Sequence, residues 1–229
     1  ELGAPAGRRE DPPSFRLLRR RASAMLGWAD ALSWNDGTLP ALNDSIPGVA
    51  TGLAGLKAYA RRLGVPEDTD THRDSGSTSG PPPHRRRDRR KGHPAPGSGY
   101  RRLAAGGFEL CFDCGPIGPD HVPGHAHADT LQLLLRHQGK DVLVDTGTSR
   151  YEAGAQRQHE RGTAAHTTVC YAGRDQSEVW SSFRVARRAR VWQHAEATAA
   201  SHDGYARYGV IHSRRVSLEN AAHEPFPGA

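Results

Sequence analysis

Three short stretches between Pro123 and Val169 hold side chains that could do chemistry together. They are PGHAHADT, with His125, His127 and Asp129; VLVDTGTSRY, with Asp145 and Tyr151; and RQHERGTAAHTTV, with Arg157, His159, Arg161 and His166. His127 precedes a predicted strand, Asp145 closes the next one and His166 opens a third, so these three should meet at one end of a sheet. Two imidazoles and one carboxylate are the ligand set of a zinc ion that keeps a fourth position open. The spacing therefore favours a metal centre built from these three residues.

Histidines, aspartates and cysteines can also occur at such spacings without forming a metal site. The chain has 13 histidines, so an H-x-H can arise by chance. A binuclear site of the metallo-β-lactamase type needs H-x-H-x-D-H, but Thr130 stands after Asp129 where the last histidine would be. Cys111 and Cys114 form a C-x-x-C without the second pair that a structural zinc site uses, so we predict that they pack as small apolar residues in a strand.

The elements that must position these residues are mainly strands. After residue 98 the chain consists of β-branched, aromatic or alternating segments separated by Gly, Pro and Asp turns. These segments are YRRLAA, GFELCFD, TLQLLLRH, DVLVD, HTTVCYA, EVWSSFRVARRARVWQ and YARYGVIHSRRVSLE. The short connection between TLQLLLRH and DVLVD predicts a β-hairpin. We expect residues 98–229 to form an antiparallel β-sandwich.

Two helices are predicted ahead of the sheets. The first runs from Ser14, its expected N-cap, to about Trp34. The second follows Thr51, again the expected N-cap, and ends where Gly64 stops it. Two helices alone bury little apolar surface, so residues 1–66 should pack on something larger.

The segment 67–97 between the two parts is rich in Pro, Gly and Arg and has almost nothing apolar to bury. We therefore predict that it is a disordered insert or linker. Its run Arg85–Lys91, RRRDRRK, carries six positive charges and one negative charge, which accounts for most of the formal net charge of +6. No aromatic residue is interleaved with this run, so nucleic acid is not expected as a partner. No stretch of about 18 apolar residues occurs, so no membrane-spanning helix is expected.

Four segments, in this order, resemble the heparinase II/III-like family of polysaccharide lyases: PGHAHADTLQLLL, LVDTGTSRYEAG, RQHERGTAAHTTV and SEVWSSFRVARRARV. In the N-terminal part, LPALNDSIPG and the second helix look like the end of the family's α/α toroid. The resemblance implies a mainly β fold, in which an antiparallel β-sandwich is preceded by two helices from the toroid. It also implies a lyase that cleaves uronate-containing polysaccharides, such as glycosaminoglycans or alginate, by β-elimination. Zinc as cofactor, an anionic polysaccharide as partner and a periplasmic or cell-envelope location are further expectations from the same resemblance.

The resemblance assigns roles to individual residues of the motifs. His127, Asp145 and His166 match the family's zinc ligands. His125 matches a histidine that acts at the substrate, and Tyr151 is the candidate acid or base in the loop after Asp145.

Three further residues are candidates for binding the anionic sugar. Arg157 and Arg161 could do so with forked hydrogen bonds, although such loop arginines are commonly solvated. Asn43, together with Asp44, could line the cleft from the toroid side, but both residues fit a turn equally well.

The chain departs from the family pattern in the loop that should order the site. His159 stands where the family usually has Tyr, Gly162 where it usually has Ser, and Thr167 where Asn is common. The resemblance also places further catalytic residues in toroid helices upstream of residue 1, so we expect the 229-residue chain to be inactive by itself. A non-catalytic module that binds an anionic polymer, a metal-dependent hydrolase and a nucleic-acid binder acting through the basic run are the alternative functions.

Overall fold

The computed structural model describes residues 12–46, 48–49, 51–66, 93–94, 98–194 and 198–218. Apart from residues 93–94, the predicted linker at 67–97 lies outside the described residues, and so does the basic run at 85–91. Among the described residues, no helix combines the length and the apolar character needed to cross a membrane.

Two helices precede the sheets: α1 (Pro13–Leu32) and α2 (Leu53–Arg62). The predicted caps are wrong, because Pro12 rather than Ser14 precedes α1 and Gly52 rather than Thr51 precedes α2. Proline has the fixed φ that the first helical turn needs, so α1 starts earlier than predicted. Gly64 follows α2 with a φ of +68°, which confirms the predicted stop.

In the described part of the chain, ten strands form three antiparallel sheets. The five-stranded sheet has the order β1 (His93–Pro94), β2 (Tyr100–Ala105), β3 (Phe108–Asp113), β4 (Leu133–His137) and β5 (Lys140–Leu143). A short hairpin consists of β6 (Val179–Trp180) and β7 (Arg184–Val185), and a three-stranded sheet of β8 (Val191–Gln193), β9 (Ala199–His202) and β10 (His212–Arg215), with β9 in the middle. The predicted hairpin is confirmed, since β4 pairs with β5 in antiparallel fashion.

The main hydrophobic core lies between the five-stranded and the three-stranded sheets. Leu110 and Phe112 of β3 pack in one cluster with Leu131, Ala200 and Val216. Alternate residues of a strand point to opposite faces, so β3 places these two side chains in the interface between the sheets. The expected antiparallel β-sandwich is confirmed.

The opposite face of the five-stranded sheet is covered by the end of α1 and the loop that follows it. Trp34 and Leu42 pack there against Cys111 and Leu134. Because β3 is buried on both faces, Cys111 is a buried free thiol, as predicted for a packed strand residue. This contact fixes the loop that follows α1 against the sheet.

Several predicted strands are wrong in extent. The segment 166–172 forms only an isolated bridge between Tyr171 and Arg174. The long segment 178–193 contains three separate strands, β6, β7 and β8. Ser181 and Ser182, with φ values of +48° and +62°, turn the chain between β6 and β7. Within the predicted strand at 205–219, the described residues 205–218 form a strand only in β10, and their start forms a 3-10 turn. Strand β9 has no counterpart among the predicted strands.

A third helix, α3 (Ala155–Arg161), occupies a segment that we predicted as a loop. It is followed directly by a 3-10 turn at Thr163–Ala165. Both elements come just before His166, so they set the position of one of the three candidate metal ligands.

Candidate metal centre and active site

The three predicted metal ligands come from different elements and meet in one place. His127 follows a 3-10 turn at Pro123–His125, Asp145 follows β5, and His166 follows the 3-10 turn after α3. Each residue offers a possible ligand atom, and these atoms all lie within 4.8 Å of one another. The prediction that the three side chains converge is confirmed, although His166 follows a turn and opens no strand.

Two buried nitrogens of this cluster, His127 Nδ1 and His166 Nε2, have no hydrogen-bond partner in the part of the chain that the structure describes. The centroids of the two rings are 5.3 Å apart, and Asp145 Oδ2 lies 3.0 Å from His166 Nδ1. A buried polar atom without a partner costs free energy, and coordination of a cation would remove that cost. Imidazole and carboxylate donors in this arrangement suit a transition-metal ion.

The charges of the cluster favour a cation as well. Burial alone would raise the pKa of Asp145, but hydrogen bonds with His166 and Gly147 hold it below its usual value. Burial acts to lower the pKa of His166, but its hydrogen bond with Asp145 and nearby negative charge raise it. Asp145 is therefore ionised at neutral pH, and a metal ion that binds His166 must compete with a proton.

Asp44, in the loop between α1 and α2, connects the candidate metal ligand His127 to the exposed residue His125. One carboxylate oxygen lies 2.8 Å from His127 Nε2 and the other lies 2.7 Å from His125 Nδ1. Thr148 donates a hydrogen bond of 2.8 Å, and Arg157 binds both carboxylate oxygens. Burial alone would raise the pKa of Asp44, but these partners hold it far below its usual range.

Asn43 supports the same loop from the other side. Its side-chain oxygen accepts the backbone N–H of His127 at 3.3 Å, and its amide nitrogen donates to Tyr100 Oη at 3.3 Å. Its φ of +51° is one that Asn tolerates better than most residues. Asn43 thus fixes the backbone next to a candidate metal ligand, and its predicted contact with substrate stays a prediction.

His125 and Tyr151 lie together on the surface above this carboxylate. The His125 side chain is 66% exposed and Tyr151 is 46% exposed. Their rings meet edge to face with centroids 6.1 Å apart, and Tyr151 Oη is 3.5 Å from the backbone carbonyl of Asp44. Of the predicted site residues, these two are the exposed ones, whereas Asn43 and Asp145 are partly buried.

Arg157 and Arg161 do not present their guanidinium groups to solvent. Both side chains are fully buried, and α3 directs them into the protein. Arg157 binds Asp44, whereas Arg161 donates to the carbonyl of Ala126 at 2.9 Å. Burial and the neighbouring Arg157 lower the pKa of Arg161 to about 10. In this structure both arginines hold the site loops together, which corrects the expectation of loop arginines open to a sugar.

Two polar residues of the site were not singled out as functional from the sequence. Thr148 links Arg157 to Asp44, but a threonine in a turn carries no signal of such a role. Asp129 is buried beside the cluster, where burial raises its pKa, and it accepts a hydrogen bond of 2.9 Å from Gln132. Only the position of Asp129 in the PGHAHADT motif indicated that it belongs to the site.

Comparison with known proteins identifies the family of the chain. Residues 87–225 match the family model described as heparinase II/III-like, C-terminal. The FtsZ-localized protein C of Caulobacter vibrioides (strain NA1000 / CB15N) is 29% identical over 147 residues, which cover 57% of this chain and 25% of that protein. The chain thus spans about a quarter of the length of this curated relative.

Two solved structures are also similar. A crystal structure of heparinase III has a TM-score of 0.48 at 17% identity, with 83% of this chain and 30% of that chain covered. A mutant of the heparan sulfate lyase HepC from Pedobacter heparinus has a TM-score of 0.47 at 18% identity, with 77% and 27% covered. The family match extends over more than half of the residues and includes all three candidate metal ligands. The chain therefore belongs to the heparinase II/III-like family and contains its C-terminal sheet domain.

Proposed function

We propose that this chain supplies the zinc-binding sheet domain of a polysaccharide lyase, which cleaves uronate-containing polysaccharides of the glycosaminoglycan or alginate type by β-elimination. One observation carries the proposal. The exposed pair His125 and Tyr151 lies directly against Asp44, which also holds the buried ligand His127. Two side chains that can exchange protons are thus exposed to solvent, and their contacts with Asp44 hold them in position.

Zinc is the proposed metal because His127, Asp145 and His166 supply two nitrogen donors and one carboxylate within a small, buried volume. When bound, the ion would supply a fixed positive charge beneath the surface that carries His125 and Tyr151, and it would hold three separate segments together. This assignment is supported by His127 Nδ1 and His166 Nε2, which have no hydrogen-bond partner among the described residues.

The proposed reaction needs one proton removed and one delivered. A base takes the proton from the carbon next to the uronate carboxylate, the bond from the adjacent carbon to the glycosidic oxygen breaks, and that oxygen receives a proton. The products are an unsaturated uronide and a shorter chain with a new hydroxyl end. His125 and Tyr151 are the candidates for these two proton transfers, because imidazole and phenol groups both exchange protons and both are open to solvent here.

The test follows the ultraviolet absorbance of unsaturated uronides released from heparan sulfate, chondroitin sulfate and alginate. Since the match covers only 25% of the curated relative, the assay uses the full-length gene product. His125→Ala and Tyr151→Phe should each lower kcat by about 100-fold or more. The control His137→Ala changes a histidine at the opposite end of the β4–β5 hairpin and should leave kcat unchanged. Absence of the absorbance with every substrate, or full activity of both variants, would refute the proposal.

A second candidate function is a module that binds anionic polysaccharide without cleaving it. It is supported by the burial of Arg157 and Arg161, which keeps both from neutralising a uronate carboxylate during elimination, and by a relative named for its localization rather than for a reaction. This candidate predicts binding of uronate oligosaccharides with no unsaturated product.

A further inference from the structure

A cavity of about 720 Å³ opens on the sandwich at a place that shares no lining residue with the metal centre. Three segments line it: the loop at 116–120 after β3, the chain at 186–191 leading into β8, and the turn at 203–207 after β9. This volume is typical of pockets that hold small ligands. Ile117 and Ala189 are buried and give the cavity an apolar floor.

The rim of this cavity is set by backbone hydrogen bonds. Arg190 donates its backbone N–H to the Asp203 carboxylate at 2.7 Å, and the Asp203 N–H returns a bond of 3.1 Å to the carbonyl of Arg190. Ala189 is fixed by a bond of 2.9 Å from its N–H to Ser177 Oγ. These hydrogen bonds hold in place the backbone from which the arginine side chains at residues 187–190 extend.

Four arginines surround the cavity, and, among the described residues, the carboxylates paired with them are fewer than the arginines. Arg187 and Arg207 share one carboxylate oxygen of Glu178, at 3.5 Å and 2.6 Å. Arg188 pairs at 3.0 Å with Asp120, whose side chain is 93% exposed. Exposed pairs of this kind contribute little, so an arriving anion can replace the carboxylate.

Arg190 completes the set. Its exposed guanidinium has no acceptor among the residues that the structure describes, because the nearby Asp203 carboxylate binds the backbone N–H of Arg190 instead. Guanidinium groups bind sulfate-like and carboxylate groups through paired hydrogen bonds. Arg190 is thus the cation best placed to receive an anionic substituent.

From this we infer that the arginine cavity is a binding site for an anionic sugar unit, separate from the metal centre. The inference extends the proposed function, because it takes its ligand class from there. A pyranose ring would lie on the apolar floor, its sulfate or carboxylate on the arginines and its hydroxyls on Asp120 and Asp203. Nucleic acid fits less well, since none of the described residues lining the cavity is aromatic and the two aspartates would repel a run of phosphates.

The test measures binding of heparin-derived and alginate-derived hexasaccharides by isothermal titration calorimetry, with maltohexaose as the neutral probe. The double variant Arg187→Ala/Arg190→Ala should weaken binding of the anionic hexasaccharides at least tenfold. The matched control Arg20→Ala/Arg21→Ala removes two exposed charges from α1 and should change the affinity by less than twofold. Arg190→Glu serves as a second variant, because this exposed side chain has no partner in the described part of the chain whose loss could unfold it. All variants keep the basic run at 85–91, so its contribution is the same in each.

Equal losses of affinity in the cavity and control variants, no loss in either cavity variant, or equally tight binding of maltohexaose would overturn the inference. Tighter binding of a duplex DNA oligonucleotide through the same arginines would overturn the choice of a sugar. Failure of the lyase proposal has a different signature: arginine-dependent binding without any unsaturated product. If cleavage depends on His125 while the arginine variants bind normally, the cavity site fails and the lyase proposal stands.

Discussion

At the scale of single residues, Asp44 determines which nitrogen of His127 is available to bind a metal ion. Asp44 is ionised, since its partners keep its pKa far below neutral pH. The proton of His127 therefore lies on Nε2, where it is donated to Asp44 at 2.8 Å. This leaves the lone pair on the buried, unpartnered Nδ1. A carboxylate behind a ligand histidine fixes its tautomer and orientation in this way in many metal sites.

Asp44→Asn should therefore weaken zinc binding about 10- to 100-fold, because the ring of His127 loses the charge that orients it. Competition with a chromophoric chelator measures the affinity. Asp36→Asn is the matched control, since Asp36 is a carboxylate paired with Arg136 on the surface. Equal zinc affinity of Asp44→Asn and the native chain would show that Asp44 does not position the ligand.

The convergence of the three candidate metal ligands could be predicted from the sequence, but the role of Asp44 could not. His127, Asp145 and His166 flank predicted strands and turns, so local patterns indicated where they would meet. Asp44 stands in NDSIPG, where a carboxylate also fits a turn, and its partners lie 81 to 113 residues away in sequence. Only tertiary packing brings them together.

At the scale of secondary-structure elements, the three-stranded sheet contains a buried histidine pair. His202 of β9 lies opposite His212 of β10, with His202 Nε2 2.9 Å from His212 Nδ1. His202 Nδ1 accepts the N–H of Gly204 at 3.0 Å, so its other nitrogen carries the proton. Burial lowers the pKa of both histidines from 6.5 to about 4, and the charge of His212 adds to the effect on His202.

This pair makes the fold sensitive to acid. The folded-state pKa values lie below the unfolded value, so the unfolded chain binds more protons as the pH falls from about 6.5 towards 4. The contribution of the pair to the free energy of unfolding is fully present above about pH 6.5 and is lost as the pH falls from there towards 4. Between pH 7 and pH 5 the free energy of unfolding should fall by about 2 kcal/mol or more.

Urea unfolding at both pH values checks this prediction. In His212→Gln the difference between the two pH values should shrink by about half, because one of the two buried titrating groups is gone. His121→Gln, which changes an exposed histidine, should leave the difference as it is. An unchanged difference in His212→Gln would speak against the pair as its source.

At the open end of the β2–β3 hairpin, the glycine just before β2 has no room for a side chain. Gly99 has a φ of +89°, and a Cβ there would lie 2.5 Å from the backbone nitrogen of Gly115 and closer still to its Cα. Gly99→Ala should lower the free energy of unfolding by about 2 kcal/mol or more, since strain and a clash with backbone add up. Gly139→Ala has a similar φ of +76° but open space around it, so the loss there should be smaller. Equal losses in urea unfolding would contradict the clash.

The helix α3 shows what sequence patterns miss at this scale. Its sequence AQRQHER has no apolar stripe, so helical periodicity gives no signal. The helix is held instead by buried charged side chains that form hydrogen bonds, as when Glu160 accepts the N–H of Ser149 at 3.1 Å. The hairpin of β4 and β5 was predictable because its strands alternate around a short turn.

At the scale of the whole molecule, the site depends on the N-terminal segment as well as on the sheet domain. Asp44 lies outside residues 87–225, the range that matches the family model, yet it binds His127 and Arg157 within that range. Trp34 and Leu42 pack the same segment onto the sheet. Metal binding and docking of the N-terminal segment should therefore favour each other, since any coupling between two equilibria is reciprocal.

The central claim is that His127, Asp145 and His166 hold a metal ion, which we propose is zinc. Its most direct test is elemental analysis of the purified chain and of two variants after dialysis against a slight excess of zinc. We predict about one zinc per native chain, about one in His137→Ala, and almost none in His127→Ala, because loss of one of three protein ligands removes most of the affinity. A native chain without zinc, or His127→Ala with as much zinc as the native chain, would contradict the claim.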